Sequence, residues 1–137
     1  MNAAESADRM GITPGELILE VGLDDDCDFD LRQAISDRAT NPLLDDDSDE
    51  VVDAVLLWFR QDDGDLVDHL VDALTYLSES GRIWLMTPKV GQAGHVDAAD
   101  IQDAVPTAGL SQTVSFLAAP EWSATRLVAR KSTQAKK

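Results

Sequence analysis

A chain of 137 residues, 44% of them hydrophobic, has room for one hydrophobic core and is therefore expected to form a single domain. Its formal net charge of −15 disfavours binding to a phosphate backbone, so we expect no nucleic-acid partner. No apolar run reaches the roughly 20 residues of a membrane-spanning helix, and the first residues lack the apolar stretch of a secretory signal. Together these features predict a cytoplasmic protein without a membrane partner.

The acidic and basic residues are distributed unevenly along the chain. Residues 1–125 hold all 26 acids but only six of the 11 lysines and arginines. The other five cations lie in residues 126–137, and residues 131–137 are predicted to be a flexible basic tail. The single cysteine, Cys27, allows no internal disulfide, which agrees with a reducing cytosol.

The N-terminal part of the sequence predicts a strand followed by a helix. Residues 1–11 are expected to be a flexible lead-in, and "ITPGE" is a turn that opens a domain over residues 12–130. Residues 17–21 form a short apolar strand. A helix then starts at residue 28 or 30, where an aspartate can cap it, and runs to about residue 39. The segment "TNPLLDDDSDE" is an acidic loop.

The segment "EVVDAVLLWFR" is the most informative part of the chain. Residues 51–59 are apolar at almost every position, which is typical of a central strand in a parallel sheet with both faces covered. An amphipathic helix is predicted from residue 65, with Gly81 at its exit. "RIWLMTP" is then a second buried strand, parallel to the first through a right-handed crossover.

The last third of the sequence predicts a short helix and a hairpin. Asp97 can cap a helix that reaches about residue 104 and is stopped by Pro106. Residues 113–118 and 124–129 alternate like the two arms of a hairpin that turns through Pro120 and Trp122. At such a turn, Trp122 is either an exposed anchor for a partner protein or folds back on the hairpin.

This order of elements predicts an α/β three-layer sandwich, with a mostly parallel sheet that ends in an antiparallel hairpin. The layout resembles a class I, Rossmann-like methyltransferase fold of reduced size. The matching segments are "LILEVG", "DEVVDAVLLWF", "LVDALTYLSESGRIWLMTP" and "SFLAAPEWSATRLVARK". Over nearly its whole length the chain also resembles a small uncharacterised actinobacterial family that shares "DAVLLWFRQDDGDLVD", "TPKVGQAGHV" and "PTAGL". That second resemblance implies no particular activity.

The methyltransferase resemblance implies a glycine-rich loop after the first strand, because the backbone there must approach the cofactor closely. In this chain Gly22 is followed by a leucine and three aspartates, whose bulk and charge oppose a carboxylate or a phosphate. The resemblance also implies an acid on the next strand that holds the ribose hydroxyls. Only about 28 residues separate Gly22 from Val51, too few for the missing strands. We therefore expect no cofactor.

The aspartate run raises the alternative of a metal site. Asp24, Asp26 and Asp28 match positions 1, 3 and 5 of a calcium loop, but Phe29 and Ile35 occupy the positions that require a glycine and a glutamate. A looser magnesium site formed by Asp24 to Asp28 with Asp62 stays open. The other interpretation is that these aspartates are solvated loop residues and helix caps.

Ligands of open α/β sheets bind outside the carboxyl ends of the strands. The sequence places there the candidate ligand-binding residues Gly22, Asp24, Arg60, Asp62, Lys89 and His95. One interpretation is a small crevice in which Arg60, Lys89 and His95 bind an anionic group. The other is that Arg60 and Lys89 neutralise the neighbouring aspartates and hold the loops closed.

These observations favour a non-catalytic module that binds an unidentified protein partner or a small ligand on a degenerate methyltransferase-like scaffold. Two alternatives remain: an enzyme that acts on an anionic or nucleotide-like metabolite, and a divalent-metal-dependent activity that uses the aspartate clusters. Self-association into a homo-oligomer is also open.

Overall fold

The structure, a computed structural model, describes residues 2–45 and 47–129. Over these residues the chain forms five strands, four α-helices and one short 3-10 helix. The strands are β1 (Ile18–Val21), β2 (Val52–Trp58), β3 (Leu77–Pro88), β4 (Leu110–Ala119) and β5 (Trp122–Ala129). The helices are α1 (Ala3–Arg9), α2 (Phe29–Ala39), α3 (Leu66–Leu74) and α4 (Ala98–Thr107), with the 3-10 turn at Gln61–Asp63.

The five strands form one mixed, open sheet in the order β1-β2-β3-β5-β4. β1, β2 and β3 are parallel, and β5 runs antiparallel to both β3 and β4. The predicted α/β fold, with parallel strands followed by an antiparallel hairpin, is therefore confirmed. The carboxyl ends of the three parallel strands meet at one edge of the sheet, where the candidate site residues were expected.

Side chains that alternate along the strands build a separate core on each face of the sheet. Beneath α1 and α2 the core contains three buried tryptophans, Trp58, Trp84 and Trp122. Beneath α3 and α4 it is mostly aliphatic, with Leu57 and Ile83 among its fully buried members and Phe59 as a buried aromatic residue. Such two-sided burial explains why the sequence of β2 is apolar at nearly every position.

Residues 3–9 form helix α1, so the prediction of a flexible lead-in does not hold for the described part of residues 1–11. Asn2 caps α1 in a reciprocal capping box with Glu5. The buried Ser6 hydroxyl donates to the Ala118 carbonyl at 2.6 Å, and the Trp84 indole donates to the Met10 carbonyl at 3.2 Å. These contacts hold α1 against the sheet. The predicted tail over 131–137 lies outside the described residues.

Two predicted boundaries are also corrected. α3 ends at Leu74 and β3 begins at Leu77, so Gly81 lies within a strand and is not a helix exit. A Cβ on Gly81 would come within 3.2 Å of the Asp53 carbonyl, at the point where the β2–β3 register shifts. Pro106 lies inside the last turn of α4, which continues to Thr107. Among the described residues, no helix has the length and apolarity needed to cross a membrane.

Candidate functional site

The carboxyl end of β1 carries a buried acid that is neutralised inside the protein. Glu20 accepts two hydrogen bonds from the Arg32 guanidinium of α2, at 2.5 and 2.6 Å. The Trp58 indole donates to the same carboxylate at 2.9 Å. The Glu20 side chain is 5% exposed and Arg32 is 23% exposed, so most of this ion pair is removed from water. Glu20, the acid of the sequence Glu20-Val21-Gly22, therefore joins β1 to α2 and β2.

Gly22 brings the loop after β1 into direct contact with β2. Its φ is +84°, a conformation that side chains disfavour. A Cβ at this position would lie 2.3 Å from the carbonyl oxygen of Trp58. The glycine is thus required by a close approach between two parts of the backbone.

Arg60 follows β2 and fills the space outside these two strand ends. Its guanidinium donates to the carbonyls of Gly22 at 2.8 Å and Trp58 at 3.2 Å. It also forms a two-point ion pair with the carboxylate of Asp26. The Arg60 side chain is 13% exposed, which is low for an arginine on a loop. We call Arg60, Gly22, Asp26 and Trp122 the Arg60 cluster.

Trp122 completes this cluster from the C-terminal hairpin. Its indole donates to the backbone carbonyl of Asp26 at 3.0 Å, and the Arg60 guanidinium lies 5.2 Å from its ring centre. It also packs edge-to-face on Trp58 at 4.8 Å. Trp122 is 3% exposed, so the structure contradicts its prediction as an exposed partner contact. It is the first residue of β5 and folds back on the sheet.

The charges of the cluster stabilise each other. The hydrogen bonds from Arg60 hold the pKa of Asp26 below its usual value, and the same pair raises the pKa of Arg60. Burial raises the pKa of the neighbouring Cys27 thiol, which keeps it protonated at neutral pH. A reactive thiolate is therefore not formed at this position.

The ion pair between Arg60 and Asp26 predicts a pH-dependent effect of Asp26→Asn. Because the pKa of Asp26 is lowered on folding, the stabilisation is complete above an unfolded-state pKa of about 3.9 and is lost as pH falls through the folded-state value. Asp26 is 54% exposed, so solvent screening limits the loss at pH 7 to about 1 kcal/mol or less. Urea titrations of the wild type and of Asp26→Asn at pH 7 and near pH 2.5 measure the difference in their free energies of unfolding.

The matched control for this experiment is Asp25→Asn, which removes the same charge from a neighbouring side chain that makes no hydrogen bond or ion pair with the described residues. We expect the Asp25 variant to remain within a few tenths of a kcal/mol of the wild type at both pH values. A deficit of Asp26→Asn that is unchanged at low pH would show that the carboxylate charge is not what stabilises the cluster.

The polar contacts of Lys89 and His95 are made to residues outside the Arg60 cluster. The His95 ring places Nδ1 3.0 Å from the Pro88 carbonyl, and its Nε2 lies 3.7 Å from an Asp97 oxygen. The Lys89 backbone donates to the Glu121 carbonyl, while its side chain has no hydrogen bond or ion pair within residues 2–45 and 47–129. Arg60 fits the interpretation in which it neutralises an aspartate and holds the loops closed. Lys89 fits neither this interpretation nor the anion crevice.

The aspartates predicted as candidate metal ligands each have a different environment in the structure. Asp28 caps α2 by accepting from the Leu31 N–H at 2.8 Å, and Asp26 is paired with Arg60. Asp24 accepts from the next backbone N–H, and Asp62 is exposed in the 3-10 turn. Within the part of the chain that the structure describes, no three histidine, cysteine or acidic side chains are grouped so that they could hold a metal ion.

Sequence reasoning missed the Glu20–Arg32 pair, and it did not identify Asp26 as the aspartate that Arg60 neutralises. The first joins a strand to a helix 12 residues away, and the second joins residues 34 positions apart. The signal that could have found the first is local: an acid in an otherwise apolar strand needs a cation, and Arg32 lies on the next helix. No local pattern points to the second.

Two mycobacterial proteins are similar to this chain over nearly its full length. Uncharacterised proteins of Mycobacterium tuberculosis and Mycobacterium bovis are each 51% identical over 136 residues, which cover 99% of this chain and 85% of the relative. The family model described as a protein of unknown function (DUF3052) matches residues 7–131.

Several solved structures with a similar fold are methyltransferases. A ribosomal protein L11 methylase from Lactobacillus delbrueckii has a TM-score of 0.56 at 13% identity, over 93% of this chain and 77% of that chain. The CcbJ methyltransferase from Streptomyces caelestis and a SAM-dependent methyltransferase from Aquifex aeolicus both give 0.61, at 10% and 9% identity, over 93% of this chain and 89% of theirs. At such identities the likeness shows the fold alone, and it confirms the predicted methyltransferase-like scaffold.

Proposed function

Because the chain belongs to the DUF3052 family of proteins of unknown function and has a methyltransferase-like fold, we propose that it is a non-catalytic binding module. The observation that carries this proposal is the Arg60 cluster. It occupies the carboxyl edge of the parallel strands, the place where folds of this type bind their ligands. A cofactor at Gly22 would have to displace a guanidinium that is bound to two carbonyls and a carboxylate.

The topology of the sheet supports the same conclusion. Within the described residues β1 is an edge strand, and the chain between β1 and β2 contains only α2 and a loop. That loop returns along the outer side of β1, where Leu44 forms a bridge to Leu19. No further strand lies beyond β1 in this part of the chain to present an acid to a ribose. Within the described residues, the strands that would carry the adenosine half of a conventional methyltransferase site are therefore absent, which supports the proposal.

The alternatives are less well supported by the geometry. An anion bound by Arg60, Lys89 and His95 would compete with Asp26 for the guanidinium, and the neighbouring acids would repel it. A divalent metal would require Asp26 and Asp28 to give up hydrogen bonds that close the cluster and cap a helix. Binding of a protein partner requires neither the loss of the Arg60–Asp26 ion pair nor the loss of the Asp28 helix cap.

The proposal predicts that adenosyl compounds do not stabilise the protein. We expect the wild-type melting temperature to change by less than about 1 °C in 1 mM S-adenosylmethionine, S-adenosylhomocysteine or ATP, and in millimolar Mg²⁺ or Mn²⁺. A ligand at 100 times its Kd would add roughly 2.7 kcal/mol of stability, a shift of several degrees. A methyltransferase of this fold, measured in parallel, is the positive control. Saturable stabilisation of the wild-type protein by any adenosyl compound would overturn the proposal.

A further inference from the structure

A second concave surface lies on the opposite face of the sheet, between the start of α3 and the whole of α4. This α3–α4 groove has a volume of about 370 Å³, within the range of roughly 300–1,000 Å³ that is usual for ligand sites. Its floor is apolar and is formed by Phe59, Leu66, Val96 and Ala104. It does not overlap the Arg60 cluster.

The rim of the groove is acidic, and no lysine or arginine among the described residues neutralises it. Asp65, Asp100 and Asp103 line it, and no lysine or arginine is among the described residues that do. Asp65 caps α3, but the side chains of Asp100 and Asp103 are exposed and have no hydrogen bond or ion pair within the described part of the chain. The cations that form ion pairs are committed elsewhere, to acids away from this rim: Arg32, Arg38, Arg60 and Arg82.

An exposed apolar strip continues from the groove along α3. Val67 lines the groove, and Val71 follows it at i+4 on the same side of the helix. Val71 is 45% exposed, although the amphipathic pattern of α3 gives the helix a well-defined buried side elsewhere. Val71 therefore extends the apolar lining of the groove along α3 by one exposed side chain.

We propose that the α3–α4 groove docks a segment of a protein partner that carries a lysine or arginine flanked by apolar residues. This inference rests on the proposed function, because it assigns the binding surface of the module. Lysine and arginine side chains combine a hydrocarbon stem with a charged head, which matches an apolar floor below Asp100 and Asp103. A flanking apolar side chain covers Val71. A polyamine carries positive charges but no flanking apolar side chain to cover Val71.

The test is an NMR titration of the isotope-labelled protein with a capped tetrapeptide of leucine, lysine, leucine and alanine. We expect saturable amide shifts confined to the α3–α4 groove, which weaken as salt is raised. The same peptide with norleucine in place of lysine retains the stem without the charge and should bind at least about fivefold more weakly. Spermidine should produce no saturable shifts at the floor residues.

Variants locate the binding site. Asp100→Asn with Asp103→Asn should weaken peptide binding at least about fivefold, whereas Asp47→Asn with Asp49→Asn removes equal charge from a distant loop and should change it less than about twofold. Val71→Ser, at an exposed position, should also weaken binding without lowering the melting temperature. Equal effects of the two double variants, absence of saturable shifts, or equal binding of spermidine would overturn this inference. Those results would leave the proposed function standing, since only adenosyl binding contradicts it.

Discussion

Replacing Gly22 by alanine is expected to lower the free energy of unfolding by about 2–4 kcal/mol. An L-residue at a φ of +84° costs roughly 1–2 kcal/mol. The new Cβ would also lie 2.3 Å from the Trp58 carbonyl oxygen, and backbone atoms cannot move away as a flexible side chain can. Either the loop after β1 or the end of β2 must shift, which would disturb the Arg60 hydrogen bonds to both carbonyls. Urea unfolding followed by tryptophan fluorescence measures the change.

Gly91→Ala is the matched control for this prediction. Gly91 has a similar φ of +88°, but a Cβ there would meet nothing within 4 Å. Gly91→Ala should therefore lower the free energy of unfolding only by the cost of a side chain at positive φ, about 1 kcal/mol. The difference between the two variants isolates the cost of the close approach to Trp58. Equal losses would show that space is open beside Gly22, and would reopen the question of a ligand at this loop.

The parts of the fold that could be predicted are those whose signal is local. The apolar run of β2 reports that both faces of the strand are covered, and the structure places it between β1 and β3. Asp28 was one of two expected caps and does cap α2. The short interval between Gly22 and Val51 predicted no further strand, because chain length limits what can be built there, and its described residues contain only α2 and a loop.

The parts that could not be predicted depend on tertiary contacts. α1 has few apolar residues, and its stability comes from buried contacts such as Ser6 with the β4 backbone, more than 100 residues away. Leu77 continues the helical spacing of α3, yet it pairs with Val52 as the first residue of β3. Trp122 has polar neighbours in sequence, like a residue at the tip of a turn, and its burial is decided by Trp58 and Asp26.

The candidate site was predicted only in part, for the same reason. The carboxyl edge and the presence of Gly22 and Arg60 there followed from strand order. The choice between an anion crevice and closed loops required knowing whether Asp26 or a ligand satisfies the guanidinium, and that is set by side-chain geometry. The α3–α4 groove had no sequence signal, since α3 and α4 each look like ordinary amphipathic helices.

Removal of Arg32 is expected to be the second strongly destabilising change. Arg32→Ala leaves the Glu20 carboxylate, 5% exposed, with the Trp58 indole as its remaining partner. Breaking a buried ion pair from one side typically costs about 3–5 kcal/mol, and the partial exposure of Arg32 places this case near 3 kcal/mol. Asp8→Ala breaks the exposed pair with Arg38 and should cost less than about 1 kcal/mol, which makes it the comparison.

A double-mutant cycle separates the charge from the packing. Glu20→Gln retains an oxygen that can accept from Trp58 but removes the buried charge, so combining it with Arg32→Ala should recover about 1–2 kcal/mol of the single-variant loss. Far-UV circular dichroism during urea unfolding provides the four free energies. Such recovery would show that Glu20, the acid of the Glu-x-Gly sequence, stabilises the fold through a buried ion pair. Additive losses would mean that Arg32 acts mainly through packing and that the charge of Glu20 is not what couples the two residues.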